Sequence, residues 1–142
     1  MLSFVIDANI AKASGLSEKP SSSRSRNLLD KIKNGNHEFV QCPTLKMEWK
    51  KHASGYSIKW LASMYAKKKV ITVIHENHLR RIIEKSALEE NRKSAALKDS
   101  HIIDSANLYG KLLATMEKNC INAFCEIPEL NHYLQSIYCI NP

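Results

Sequence analysis

Residues 97–119 read LKDSHIIDSANLYGKLLATMEKN, and the fold turns on how they are parsed. Asp99, Ile102, Ile103 and Ala106 fall at i, i+3, i+4 and i+7, the spacing of one helical face. This predicts a helix that opens at Lys98-Asp99 and ends at Gly110, with Asp99 at its mouth on the core side. A short apolar strand, Lys111 to Thr115, comes next, and Glu117 stands two residues beyond Thr115. An acid at a helix start has a plain explanation, because the exposed N–H groups and the dipole favour it. It has a second if carboxylates from distant segments gather around a metal ion.

The same alternation extends in both directions. Upstream, LSFVID reads as a buried strand ending in Asp7, HEFVQCP as a strand closed by a proline, and VITVI as a β-branched strand. Between them, RNLLDKIKNGN carries a helical stripe that stops at Asn34-Gly35. The long stretch from Thr44, a natural N-cap, to Lys69 is helical and divided near Gly55. GLSEKPSSSRSR is expected to be a flexible loop. The charged run from Asn77 to Leu97 is expected to be helical in two pieces. Downstream, MEKNCINAFCEI reads as a turn into a helix broken by Pro128, and QSIYCINP as a last strand. Strands alternating with helices predict one α/β domain over residues 1–142, with a mainly parallel central sheet flanked by helices on both faces. In such sheets chemistry gathers beyond the carboxyl ends of the strands.

Composition narrows the partners. A formal charge of +7 points to a polyanion, RNA or DNA first. No apolar run reaches the ~20 residues of a membrane span, and the start lacks the basic flank of a signal peptide. Cys42, Cys120, Cys125 and Cys139 form no CxxC pair and are expected to be buried thiols in a reducing cytoplasm. His75 and His78 stand at i, i+3 without a matching second pair, so zinc is not expected.

Placed on this framework, the acids fall together. Asp7 follows the first strand and Glu117 follows KLLAT. Glu48 lies early in the helix after HEFVQCP, and Asp99 lies at the mouth of its own helix. All four can meet at one sheet edge. Like charges held close together need a cation, and hard oxygen donors without Cys or His suit Mg²⁺ or Mn²⁺. Such an ion activates a water for attack on phosphorus, which describes a metal-dependent nuclease. Asp104 sits about 140° from Asp99 on the helical wheel, and is expected to form a salt bridge or to support the site from behind. Singly, each acid has a plainer reading: a strand end for Asp7, a partner of Lys51 or His52 for Glu48, a cap for Asp99, a turn acid for Glu117.

These residues resemble the PIN-domain family of nucleases. FVIDANIAKAS is similar to that family's first strand with its Asp-x-Asn, CPTLKMEWKKH to its glutamate-bearing helix, and IYCINP to its last strand. The most specific match is LKDSHIIDSANLYGKLLATMEKN, in which Asp99, Ala106, Thr115 and Glu117 keep the family spacing. The resemblance implies a Rossmann-like PIN fold and Mg²⁺- or Mn²⁺-dependent cleavage of RNA. It makes Asp7, Glu48, Asp99 and Glu117 both the catalytic and the metal-binding acids, with Asn9 and Thr115 as supporting groups. It further implies a homodimer and, for many bacterial members, the toxin of a toxin–antitoxin pair with an antitoxin protein as partner. One position departs from the pattern: the family's last acid is usually aspartate. Glu117 reaches about 1.5 Å further, by one C–C bond. The alternative is therefore a catalytically inactive PIN-like module that binds RNA or protein.

Basic residues supply the remaining expectations. Lys50, Lys51, Arg80 and Arg81 are assigned to an RNA-facing rim. Most aromatics among the lysines of residues 50–69 are expected to pack rather than stack on bases. Ile58, Leu61 and Tyr65 share helical spacing suited to core or dimer interface. A phosphoacceptor receiver domain fits the length, but lacks the Asp pair beside the first strand and a well-placed lysine.

Overall fold

The computed structural model describes residues 1–74, 78–116, 126–128 and 137–142. Glu117, Cys120, Cys125 and His75, together with most of MEKNCINAFCEI, lie outside the described residues. Five short strands form one sheet: β1 (Ser3–Ile6), β2 (Glu38–Gln41), β3 (Val70–Thr72), β4 (Leu112–Ala114) and β5 (Tyr138–Ile140). Every pairing is parallel, in the order β3-β2-β1-β4-β5. The helices are α1 (Ala8–Ala13), α2 (Pro20–Asn34), α3 (Pro43–His52), α4 (Gly55–Ala66), α5 (His78–Glu84) and α6 (Glu90–Leu108). This is a Rossmann-like α/β arrangement. The chain runs outward from β1 through β2 to β3, then returns past β1 to add β4 and β5. The right-handed crossover rule puts α1–α4 on one face and α6 on the other. The direction of winding reverses between β1 and β4, and a crevice opens there at the carboxyl edge.

The central strands are apolar because both of their faces are covered. Phe4, Val5 and Ile6 are buried, as are Phe39 and Val40. Over β2, Phe39 meets Trp49 of α3 with ring centroids 4.8 Å apart and Trp60 of α4 at 5.8 Å. Each such aromatic pair adds about 0.5–1.5 kcal/mol beyond its buried area. Both indole N–H groups are satisfied, Trp49 donating to Ile6 O at 2.9 Å and Trp60 to Leu29 O at 2.6 Å. At the turn from α6 into β4, Gly110 has φ +86° and lies so close to β1 that a Cβ would stand 2.5 Å from Ser3 O. Only glycine lets β4 dock there.

Several local expectations change. The expected loop holds only for residues 15–19: Pro20 sits in the first turn of α2, and Ser22 and Ser25 are buried along it. Proline fits that position because its missing N–H is not needed in a first turn. Likewise Pro43 opens α3, so the N-cap is Cys42 rather than Thr44. Gly35 caps α2 at φ −78°, and the left-handed residue is Asn36 at φ 59°. Cys42 is buried, but Cys139 is exposed on β5. On α4 the buried stripe is Ser57, Trp60 and Met64, while Ile58 and Tyr65 are exposed.

The largest change concerns α6. It starts at Glu90, so Asp99 is not at a helix mouth but in the middle of a long helix. Nor is a single face buried, since every residue from Asp99 to Ala106 is. A helix of 19 residues is about 28 Å long, against roughly 10 Å for a three-residue strand. Its C-terminal end feeds β4 at the amino edge of the sheet. Counting back from Leu108 raises Asp99 by about 14 Å, to the level of the carboxyl edge. The first half of α6 therefore overruns the sheet and packs on α5. Among the described residues, no helix is long and apolar enough to cross a membrane.

Candidate functional site

The crevice at the winding reversal is built on Asp7. Its backbone N–H continues the β1–β4 pairing by donating to Ala114 O at 2.9 Å. Its side chain caps α1 through Asn9 N at 3.4 Å and accepts from Thr115 Oγ1 at 2.9 Å. Asn9 completes the tie from the other side. Its amide Nδ2 donates to Thr115 Oγ1 at 3.4 Å, and its Oδ1 accepts from Met116 N at 3.4 Å. The groups that follow β1 and β4 thus lock one another across the crevice, and Asp7 is held at 7% exposure with its rotamer fixed on both oxygens.

A cleft of about 180 Å³ opens over this network. Asp7, Glu48 and Asp99 line it, contributed by the end of β1, by α3 and by α6. Asn9 lines it as well. Asp99 is buried to the same degree as Asp7, whereas the Glu48 side chain keeps a quarter of its exposure. Thr115 lies directly behind, and Asp104 is buried further along α6. Among the described residues, no group of three or more His, Cys, Asp or Glu side chains closes on a single ion position.

Glu48 has a partner that sequence reasoning missed. His101 Nε2 lies in direct contact with Glu48 Oε1 across α6 and α3, with the histidine almost wholly buried. Near a helix stripe of isoleucines a histidine reads as a core residue, and nothing in local spacing ties residue 101 to residue 48.

The cleft also holds basic residues other than those expected. Lys12, His52 and Lys98 line it, while Lys50, Lys51, Arg80 and Arg81 do not. Arg80 is paired with Glu84 at 3.2 Å along α5. Lys50 lies on the opposite side of α3, in an apolar groove with Trp49, Ile58, Leu61 and Tyr65. A signal for these basic residues was available: Lys12 is one turn from Ala8, His52 one turn from Glu48, and Lys98 adjoins Asp99.

The fold and site define a parallel α/β protein with acids and bases gathered at the switch point of its sheet. No protein-family model matches the chain, and no curated protein matches it significantly.

Proposed function

We propose that this protein is a PIN-type, Mg²⁺- or Mn²⁺-dependent endoribonuclease that hydrolyses phosphodiester bonds. The observation that carries the reading is that Asp7, Glu48 and Asp99, far apart in the chain, line one cleft at the winding reversal. The donors fit a hard divalent ion: three carboxylates and the Asn9 amide, with no thiol among them. Asp7, Glu48 and Asp99 would hold the ion, and in this reading Glu117 joins them from outside the described residues. When bound, the ion supplies an activated water and neutralises charge developing on the phosphate.

The chain's own residues supply position. Thr115 and Asn9 fix the direction of Asp7 before any substrate arrives, which removes reorganisation from the reaction. His101 fixes Glu48 through Oε1 and leaves Oε2 as its second oxygen. The finer form of the proposal is a toxin of a toxin–antitoxin pair, acting as a homodimer that buries the groove between α3 and α4.

One observation favours a second reading, an inactive RNA- or protein-binding module: Glu48 is already engaged by His101. A Mn²⁺ titration coupled to an RNA cleavage assay separates the two. The nuclease is expected to cut with Mn²⁺, stop with EDTA, and fail in Asp7→Asn and in Asp99→Asn. Cleavage that survives both substitutions removes the assigned site, and binding without cleavage establishes the module.

A further inference from the structure

We infer that Lys12, His52 and Lys98 hold the substrate at this cleft by its phosphates, so that the cleft itself is blind to base identity. The inference deepens the nuclease reading and rests on it. The three residues come from α1, α3 and α6, the elements that carry or adjoin the acids, and converge on the same cleft. All three are exposed.

Several basic residues elsewhere are already engaged. Arg80 is paired with Glu84, Arg92 with Glu126, Lys93 donates to Glu84 O, and Lys111 donates to Asn107. Among the described residues, Lys12, Lys98 and His52 form no ion pair, even with the acids beside them. A lysine is a point charge that binds phosphate from many directions, and histidine offers a ring N–H in either protonation state.

Size and lining decide what is read. The cleft's volume of about 180 Å³ is below the ~300 Å³ at which pockets begin to enclose whole small molecules. It is too small to enclose a whole nucleotide, so a strand can engage it only in part. Among the described residues no aromatic side chain lines it, so they offer no stacking platform. Contacts to phosphate position a strand without reading its sequence.

Fluorescence anisotropy of labelled oligouridylate and oligoadenylate, in EDTA over a sodium chloride series, tests this without any need for cleavage. Lys12→Ala and Lys98→Ala are expected to weaken binding of both oligomers by the same factor. Each should lower the slope of log affinity against log salt by about 0.7, the value for one phosphate contact on a single strand. The Lys50→Ala/Lys51→Ala double variant should retain the wild-type slope. Slopes unchanged in the cleft variants, or a loss confined to one base, overturn the inference. So does wild-type protein that binds neither oligomer. If any of these occurs while cleavage still depends on Asp7, the inference fails and the nuclease reading stands. If Asp7-dependent cleavage is also absent, both fall.

Discussion

Helix α3 has two working faces, and they make opposite use of charge. On one, Glu48 and His52 stand one turn apart and look into the cleft with Asp7 and Asp99. On the other, Lys46, Trp49, Lys50 and Ala53 follow i, i+3, i+4, i+7 and line an apolar groove with Ile58, Leu61 and Tyr65. Both faces carry basic residues, but only the first sets them against carboxylates over a fixed hydrogen-bond network. Lysines around an apolar groove border a packing surface, as their stems can lie along it while their heads stay wet. Lysines beside paired acids can hold an anion while the acids hold a cation. The run KMEWKKHA thus encodes two surfaces, and composition alone cannot tell them apart.

The largest break in this comparison is expected at Trp49, the buried anchor of α3 on the groove side. Trp49→Ala removes its ring from Phe39 and Trp60 and its N–H from Ile6 O. It should cost about 3–5 kcal/mol in chemical denaturation, and both surfaces should be lost together. Asp7→Asn should separate them. Asparagine still caps α1, so stability should stay within about 1 kcal/mol, while Mn²⁺-dependent cleavage falls at least ~100-fold. Lys50→Ala, on the groove side, should leave cleavage unchanged in the same assay. A groove substitution that matched the loss in Asp7→Asn would erase the distinction.

Thr115→Val sharpens the account inside the cleft. It keeps the shape and removes the hydrogen bond to Asp7 Oδ2. Bonds to charged groups contribute about 1.5–3 kcal/mol, so a loss of roughly tenfold or more in cleavage rate is expected. Unchanged kinetics would show that Asp7 does not need its tie.

The smallest effect lies away from both faces. Tyr56 donates its hydroxyl to Asp30, and burial, followed by that bond and the Asp30 charge, pushes its pKa up to about 12 from 10.0. Folding therefore favours the protonated phenol. Its contribution to stability is complete below about pH 10 and is lost as pH rises toward 12. Tyr56→Phe should flatten the stability–pH curve over that window, read by denaturant midpoints, and leave cleavage at neutral pH unaltered.

Much of this was legible in the chain. Short apolar runs bounded by turn residues marked all five strands, and Gly55 marked the division of α3 from α4. The placement of Asp7, Glu48 and Asp99 at one edge is expected from the order of elements, whereas Asn9 and Thr115 are expected only from the family resemblance. What escaped was tertiary. The charged run before Lys98 is expected to be helical, but not to continue unbroken into the helix carrying Asp99 as one α6, Glu90–Leu108. The pairing of His101 with Glu48 joins helices on opposite faces of the sheet. The choice of Lys12 and Lys98 over Lys50 and Arg80 depends on which way each helix turns its face, fixed by Trp49 and by the buried 99–106 segment rather than by any motif.

The central claim is that Asp7, Glu48 and Asp99 share one divalent ion at the winding reversal. Anomalous diffraction from crystals equilibrated with Mn²⁺ tests it most directly. The account predicts a single strong peak in the cleft, within about 2.0–2.5 Å of carboxylate oxygens from more than one of these residues. Manganese bound only elsewhere, with the cleft vacant at saturating metal, would contradict it.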